Sequence, residues 1–295
     1  MAKFQSHHSK QSAAASGMVV KVGIFGALVA GLFFVFNKFM GNQENDVADE
    51  FAPLEMYYPQ STSGEIVVHK GFALSYSEEH EQAEWTAHEL SRENLEKQWN
   101  KRSDAFLPDN EVSTGSATPD DYRGSGYDRG HLVPAADLAW DAEAMKETFL
   151  LSNISPQAGN FNKGIWRELE ELTRNWAKKY GHLYVVTGPV LSVEPKGEIG
   201  ENEVSVPVAF YKVLLDYKSS NPKSIAFVIP NEVSYDPVFD YCTSIDEVEE
   251  LTGLDFFPDL LDQQSESILE ANFNKDLWPF NKKKYEIRIN SWNKQ

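Results

Sequence analysis

The sequence of 295 residues has a single cysteine, Cys242. An intramolecular disulfide is therefore impossible, and neither a cysteine pair nor a His-x-x-x-His spacing is present to suggest a zinc site. Two of the seven histidines, His7 and His8, lie close to the N-terminus. The histidines left for chemistry in the rest of the chain are His69, His80, His88, His131 and His182.

The sequence also has no excess of basic residues. It contains 27 Lys and Arg against 45 Asp and Glu, for a formal net charge of −18. Because non-specific affinity for nucleic acid comes largely from neutralising phosphates, composition alone argues against a polyanion binder. The first 41 residues carry four lysines and no acid, which leaves 23 basic and 45 acidic residues, or −22, on the remainder. Any phosphate site must be a local basic patch on an acidic body.

The one long apolar run extends from Gly17 to Phe36 and contains a single charge, Lys21. Its 20 residues match a bilayer core of about 30 Å. Lysines precede the run and acids follow it, which orients the N-terminus towards the cytoplasm. A cleaved signal peptide is the competing interpretation, but the run is longer than usual for one and no small-x-small site follows it. We therefore predict a cytoplasmic tail over 1–16, a transmembrane signal-anchor over 17–40, an acidic linker over 41–60 and an extracytoplasmic domain over 61–295.

Hydrophobic periodicity in the domain favours an α+β fold. β-favouring residues on both sides of Lys70-Gly71, from Glu65 to Tyr76, predict a pair of strands, and Trp85 to His88 extends that sheet. Further strands are predicted over 182–187, 204–216 and 224–229, and helices over 142–151, 165–180 and 244–252. Residues 107–126 and 152–164 are predicted to be irregular. This order is not the regular strand-helix alternation of a parallel α/β sheet.

Two segments concentrate the residues suited to chemistry. The first, DYRGSGYDRGHL at 121–132, is rich in glycine, which lets the backbone approach a ligand closely. Arg123 and Arg129 can contact phosphate oxygens in a bidentate manner, and His131 has an ordinary pKa suited to moving protons near neutrality. The alternative is a turn-rich loop in which His131 has a structural role.

The second segment extends from Leu151 to Glu170. Asn162 precedes a predicted helix, and Glu170 lies about two turns further along on a similar face. An amide oxygen and a carboxylate so placed suit Mg²⁺, which takes few protein ligands and keeps several waters. In the alternative interpretation, Asn162 is a helix N-cap, and Glu170 with Arg174 is an ordinary i,i+4 surface pair.

These segments resemble the signatures of the DNA/RNA non-specific endonucleases of the ββα-metal class, the family of mitochondrial endonuclease G and of secreted bacterial nucleases. The resemblance rests on Asp-Arg-Gly-His, followed about thirty residues later by Asn and then by Glu eight residues on, and it extends from about Val67 to about Pro258. It implies a central mixed or antiparallel sheet flanked by helices. In such a fold a β-hairpin brings His131 against the helix of Asn162 and Glu170, with a cation between them.

The resemblance also implies roles for individual residues. His131 is expected to be the general base, Asn162 the direct ligand of Mg²⁺, with Mn²⁺ as a substitute, and Glu170 an acceptor that orients water on the metal. Arg129 is expected to hold the scissile phosphate. Five further residues are expected to support the site or to bind substrate: Asp128, Arg123, Asn153, Gln157 and Arg174. A second arginine near the phosphate is usual in the family, and Arg102 and Arg123 both fit that role.

The implied reaction is hydrolysis of DNA and RNA to 5′-phosphate and 3′-hydroxyl ends, with a histidine base and one Mg²⁺. Since phosphates supply most contacts, base identity should matter little. Because an unperturbed imidazole has a pKa near 6.5, the rate is expected to fall on acidification. A patch around Arg123, Arg129 and Arg174 on an acidic body predicts a strong dependence on salt. His69, His80, His88 and His182 lie outside both segments and are expected to be replaceable with small losses.

Two other classes of protein fit parts of the sequence. A catalytically inactive, membrane-tethered nucleic-acid-binding protein on the same fold would keep the arginines but lose His131 or Asn162, and both are retained. An acidic adhesion or scaffold domain accounts for the net charge but leaves the two segments unexplained. The expected partners are DNA and RNA, the membrane through 17–40 and, because relatives are often dimers, a second copy of the chain.

Overall fold

The computed structural model describes residues 57–60, 64–102 and 104–294, all of which belong to the unit Ala52–Gln295. The predicted tail, the predicted signal-anchor at 17–40 and most of the predicted linker lie outside these residues. In the part of the chain that is described, no helix has the length and apolarity needed to cross a membrane.

A large antiparallel sheet forms the centre of the domain. The described strands are β1 Glu65–His69, β2 Phe72–Ser77, β3 Gln82–Ser91, β4 Asp128–His131, β5 Ile154–Gln157, β6 His182–Pro189, β7 Glu198–Ile199, β8 Val204–Ser205, β9 Ala209–Asp216, β10 Lys223–Pro230 and β11 Cys242–Thr243. Seven of them form one sheet in the order β1-β2-β3-β6-β9-β10-β11. Every neighbouring pair in it is antiparallel, so the sheet is not mixed.

The inner strands of this sheet are buried on both faces. β6, β9 and β10 are largely continuous runs of apolar, β-branched and aromatic residues, and nearly all of their side chains are buried. At the edge, β1 alternates instead, with Val67 and His69 buried and Ile66 and Val68 exposed. Two separate apolar clusters, one on each face, therefore make up most of the core.

Helices cover both faces of the sheet. The described α-helices are α1 Arg92–Glu96, α2 Ala142–Glu147, α3 Arg167–Tyr180, α4 Ile245–Thr252, α5 Gln263–Leu269 and α6 Lys282–Asn290. α3 contributes Leu169 and Trp176 to one apolar cluster, and α4 contributes Ile245 and Val248 to the other. The 14 residues of α3 are followed by the C-cap Gly181, whose φ of 100° is easily adopted only by glycine.

Most of the predicted elements are present, and the α+β class is confirmed. The strand pair around Lys70-Gly71, the strands at 182–187 and 224–229 and the helix at 244–252 are all observed. The single strand predicted over 204–216 is two, β8 and β9, separated by a segment with Pro207, which has no N–H for a ladder. The prediction that 152–164 is irregular is wrong, because β5 lies within it.

Candidate active site

The ladder of β4 and β5 carries the first motif. These strands form a two-stranded antiparallel sheet of their own, in which Asp128 lies opposite Gln157 and Gly130 opposite Ser155. Residues 132–153, including α2, connect them, so the connection is not a tight hairpin. A π-helical turn, Phe161–Trp166, then leads into α3 through a kink at Gly164. The ββα order expected from the family resemblance is therefore present.

Gly130 allows β4 to lie close to Gln157. A Cβ atom added at Gly130 would lie 2.1 Å from Cδ of Gln157, far inside van der Waals contact. Gln157 is fully buried, and neither atom of its amide has a hydrogen-bond partner among the described residues. Any side chain at position 130 would therefore push Gln157 aside and disturb the ladder that carries His131.

His131 lies at the end of β4 beside two aromatic rings. The ring of Phe149 meets it edge to face at 4.8 Å between centroids, and the ring of Phe106 lies at 5.6 Å. Burial and then the positive charge of Arg102 lower the pKa of His131 to about 3. The imidazole is thus neutral throughout the physiological range and able to accept a proton. The ordinary pKa expected from the sequence therefore does not apply to this half-buried ring.

The side-chain amide of Asn162 is oriented by Asp128. Nδ2 of Asn162 donates to Oδ2 of Asp128 at 3.1 Å, and Nζ of Lys163 pairs with the same oxygen at 2.8 Å. The amide oxygen of Asn162 is thereby left as an acceptor for another ligand. It shares a cavity with the carboxylate of Glu170, and this pair of oxygen donors fits a hard, partly hydrated cation.

Glu170 and Arg174 are half-buried beside the buried pair of Asp137 and His88, so they are not an ordinary surface pair. The side chain of Arg174 is 12% exposed and donates to Asp137 at 2.6 Å. On its other oxygen Asp137 meets Nε2 of His88 at 3.0 Å, and both of these residues are buried. Burial raises the pKa of Glu170, an effect that the charges of Arg174 and then Lys212 oppose.

Lys212 on β9 is a member of this network that the sequence pattern did not reveal. It is 1% exposed, its Nζ donates to Oγ1 of Thr187 at 2.5 Å, and it lies 5.1 Å from the ring centroid of Trp166. Burial lowers the pKa of Lys212, while Glu170 and then Asp137 raise it. The one signal in the sequence is a lysine within the apolar run of the strand, where a buried cation requires a partner.

Two cavities meet at Arg129, Asn162 and Lys163. The catalytic cavity, of about 370 Å³, is lined by residues that include Arg102, Arg129, His131, Asn162, Glu170 and Arg174. The flanking cavity, of about 490 Å³, is lined by residues that include Phe106, Tyr127, Arg123, Asp128, Arg129 and Lys163. Arg102 thus shares a cavity with His131, whereas Arg123 lies in the flanking cavity; each arginine also pairs with a nearby carboxylate, Asp104 at 2.8 Å and Asp120 at 2.7 Å respectively. Both arginines fit the same role in the sequence, but in the structure they line different cavities.

Arg129 lies where the two cavities join and is exposed. Its guanidinium carbon stacks 4.3 Å from the ring centroid of Phe106. Within the described part of the chain, no carboxylate forms an ion pair with it. The planar fork is therefore positioned by an aromatic face and available to a phosphate.

Asn153 and Gln157 line neither cavity. Asn153 is fully buried; its Oδ1 accepts from the backbone N–H of Val133 at 2.9 Å, and its Nδ2 donates to the carbonyls of Val133 and Thr148. These bonds fix the chain just after His131. Of the residues predicted to support the site or to bind substrate, Asp128, Arg123 and Arg174 reach a cavity, and Asn153 and Gln157 do not.

Comparison with known proteins finds one matching family model and several similar nucleases. The model of the DNA/RNA non-specific endonuclease family matches residues 53–263. The chain is 33% identical over 259 residues to "Nuclease EXOG, mitochondrial" of Homo sapiens, covering 81% of this chain and 70% of that protein. It is 39% identical over 191 residues to "Nuclease 1, mitochondrial" of Schizosaccharomyces pombe, covering 58% of this chain and 59% of that protein.

A solved structure has a similar fold. It comes from a crystal structure of the EndoG/EndoGI complex described as showing the mechanism of EndoG inhibition, and it matches with a TM-score of 0.65 and 30% sequence identity. The match covers 72% of this chain and 92% of that chain. The similarity therefore spans most of the described domain.

Proposed function

The chain belongs to the DNA/RNA non-specific endonuclease family, and from this premise we propose that it is a Mg²⁺-dependent endonuclease that hydrolyses phosphodiester bonds in both DNA and RNA. One observation carries the proposal: a neutral imidazole, an unpaired guanidinium and an oriented amide line the same cavity, on His131, Arg129 and Asn162. Cleavage leaves 5′-phosphate and 3′-hydroxyl ends.

His131 is the general base that takes a proton from the attacking water. In the free protein its pKa is about 3, because of burial and then of the positive charge of Arg102. A bound phosphate would offset the charge of Arg102 and so remove the second of these two causes.

Arg129 and Arg102 hold the reacting phosphate. Arg129 presents a guanidinium fork that matches two phosphoryl oxygens, and its stacking on Phe106 limits its freedom before substrate arrives. Arg102 fits the family's further arginine, because it lines the cavity of His131. Arg123 meets a neighbouring phosphate in the flanking cavity.

Asn162 would hold the Mg²⁺ through its amide oxygen, and Glu170 would accept hydrogen bonds from the waters that the ion retains. When bound, the ion neutralises charge that develops on the phosphoryl and leaving oxygens. Asp128 keeps the Asn162 amide in the required orientation. Mn²⁺ substitutes because it accepts the same oxygen ligands.

The location follows from the N-terminal sequence. Residues 17–40 anchor the protein in a membrane, with the nuclease domain on the extracytoplasmic side, because lysines precede the apolar run and acids follow it. This side is the periplasm or exterior of a bacterium, or the intermembrane space of a mitochondrion, and the relatives named above are mitochondrial. A homodimer is proposed from the family resemblance alone, and light scattering on the purified protein tests it.

The test uses the full-length protein in detergent with supercoiled plasmid and with RNA, each with and without Mg²⁺. Asn162→Ala should lose most of the activity, whereas Asn160→Ala should retain it, because Asn160 is exposed and caps no backbone group. Cleavage that persists in EDTA, or equal rates for the two variants, would overturn the metal site. Binding without cleavage by the wild type would identify an inactive nucleic-acid-binding protein, and no interaction with nucleic acid would favour a scaffold domain.

A further inference from the structure

A cluster of carboxylates lies between α4 and the residue that follows α5. Asp246 and Glu249 belong to α4, and Glu270 follows α5. One carboxylate oxygen from each of the three residues lies within 4.8 Å of the other two. The backbone N–H of Asp246 also donates to the carbonyl of Glu270 at 3.2 Å, so the two segments are fixed against each other. Three like charges held this close repel one another unless something compensates them.

Glu270 makes this cluster different from a group of solvated surface acids. It is 3% exposed, and its Oε1 is buried with no hydrogen-bond partner in the described part of the chain. Burial, followed by the charges of Glu249, Glu266, Asp246 and Asp255, raises the pKa of Glu270 to about 9. A buried carboxylate of this kind either stays protonated or is compensated by a cation.

No protein cation supplies this compensation among the described residues. None of the ion pairs of the domain involves Asp246, Glu249 or Glu270. The carboxylate of Glu249 is partly fixed by a backbone donor, the N–H of Phe256 at 2.8 Å. The cluster is therefore fixed in position and has no protein counter-charge among the described residues.

We infer that Asp246, Glu249 and Glu270 bind a hard divalent cation, with Ca²⁺ as the best fit, at a site distinct from the catalytic cavity. Carboxylate oxygens are the ligands that Ca²⁺ prefers, and it accepts six to eight of them at about 2.3–2.6 Å in irregular geometry. Two ligands on opposite sides of such an ion lie about 4.6–5.2 Å apart, which accommodates the observed spacing. The smaller Mg²⁺ demands a tighter octahedron and keeps more of its own water. None of the three residues lines the catalytic cavity.

A cation bound at this site would stabilise the folded protein. Ile245 and Val248 of α4 and Leu269 of α5 pack into the same apolar cluster on one face of the sheet. A cation bound by Asp246, Glu249 and Glu270 would join the beginning of α4 to the end of α5 and so hold both against this cluster. Any agent that binds the folded state alone raises its melting temperature.

The experiment uses the full-length protein with Asn162→Ala, stripped of divalent ions, so that the proposed catalytic position does not contribute. Calorimetric titration with Ca²⁺ should show one bound ion, and saturating Ca²⁺ should raise the melting temperature. Glu270→Gln in this background should abolish both effects. Glu250→Gln is the matched control, because Glu250 is an exposed residue of the same helix outside the cluster. If Glu270→Gln does not fold, Asp246→Asn replaces it, since Asp246 is exposed and its loss does not disturb the core.

One result would contradict the cation site. If Ca²⁺ neither binds nor shifts the melting temperature, and Glu270→Gln is at least as stable as its parent, then Glu270 is a buried neutral acid and the cation site does not exist. Binding that survives Glu270→Gln and Asp246→Asn would also overturn the assignment. Neither outcome affects the proposed nuclease activity, which is measured on plasmid and RNA with Asn162 intact.

Discussion

At the scale of single residues, His131 should be essential for cleavage but not for binding. Arg129 and the proposed cation engage the phosphate before reaction, whereas the imidazole matters only when a water proton must leave. His131→Ala should therefore lower the cleavage rate by about a hundredfold to ten-thousandfold, with nucleic-acid affinity nearly unchanged. Plasmid cleavage and fluorescence anisotropy on a labelled oligonucleotide measure the two quantities. A variant that cleaves at the wild-type rate would make His131 structural and remove the basis of the mechanism.

The other histidines are not equivalent controls. His80 is a suitable one, because its Nδ1 meets Oγ of Ser205 at 3.1 Å and it lines neither cavity. His88 is unsuitable, since it is fully buried and pairs with Asp137, which in turn pairs with Arg174 in the catalytic cavity. The sequence could not show this link, because it joins three residues that lie far apart in the chain.

The acid side of the pH profile should report Glu170 and not His131. Because the pKa of His131 is lowered to about 3, the base of the free enzyme is still neutral at pH values where an ordinary imidazole is charged. Burial raises the pKa of Glu170, so its carboxylate is the first of the two to be protonated as the pH falls. kcat/KM should therefore fall on mild acidification in the wild type. The Glu170→Gln variant should be slower, but its kcat/KM should not show this fall. If kcat/KM of Glu170→Gln falls over the same pH range as that of the wild type, a group other than Glu170 is responsible.

The lowered pKa of His131 also affects the stability of the fold, which should decrease on acidification. A histidine whose folded pKa is depressed takes up a proton on unfolding at any pH between its folded and unfolded values. His131 therefore contributes a loss of folding free energy as the pH falls below about 6.5 and towards 3. Compared at several pH values, urea denaturation of His131→Ala should depend less on pH in this window than that of the wild type.

At the scale of elements, the ladder of β4 and β5 should be intolerant of a side chain at position 130. Gly130→Ala should lower the free energy of unfolding by about 1–3 kcal/mol, the usual cost of overpacking, because the new Cβ collides with Gln157. Urea denaturation measures this loss. Gly159→Ala is the control, since the nearest atom to its added Cβ lies at 3.6 Å, an ordinary contact.

A second substitution tests whether the collision with Gln157 causes this loss. Gln157→Ala removes the atoms that collide and also an amide without a hydrogen-bond partner among the described residues. The double variant Gly130→Ala/Gln157→Ala should therefore recover part of the stability lost by Gly130→Ala. Simple addition of the two single losses would mean that the glycine is needed for a reason unrelated to the approach of Gln157.

The elements that could be predicted are those whose pattern is local. The apolar runs of β6 and β10 and the helical spacing of α3 are visible in a short window. β5 escapes prediction because Ile-Ser-Pro-Gln shows no strand alternation and includes a proline, and its ladder partner, β4, lies more than twenty residues earlier. The predicted start of α3 at 165 is also approximate, since the π-helical turn and the kink at Gly164 precede Arg167.

The C-terminal helices escape prediction for a related reason. α5 and α6 are mainly polar, and α6 is attached through charge, with Nε of Arg288 donating to Glu168 of α3 at 2.5 Å. Both of these side chains are fully buried. The spacing of apolar residues in the sequence cannot reveal a helix that is held by a buried ion pair. The site follows the same rule. The two motifs could be read locally, whereas the positions of Lys212 and Asp137, and of Arg102 in the cavity of His131, depend on tertiary contacts.

At the scale of the whole molecule, a local basic patch lies on a chain whose formal net charge is −18. The cations that line the two cavities and reach solvent include Arg102, Arg123, Arg129 and Lys163. Arg174, which the sequence placed in this patch, is largely buried and neutralised by Asp137. The net negative charge of the chain does not favour a polyanion away from the patch, and at physiological salt charges interact over only about 8 Å. Affinity for nucleic acid should therefore depend on a few contacts that salt competes with directly.

This arrangement predicts that kcat/KM depends steeply on salt concentration and that part of this dependence comes from Arg123. Four phosphate contacts correspond to a slope of about −3.6 in log affinity against log salt, so kcat/KM should fall about a hundredfold between about 50 and about 200 mM salt. Arg123→Ala should reduce the slope by about one, because its ion pair with Asp120 is exposed on both sides and leaves the guanidinium open to phosphate. Lys282→Ala, which removes an 81% exposed cation that lines neither cavity, should leave it unchanged. Equal slopes in all three proteins would remove Arg123 from the substrate path, and a rate independent of salt would mean that the patch does not carry binding at all.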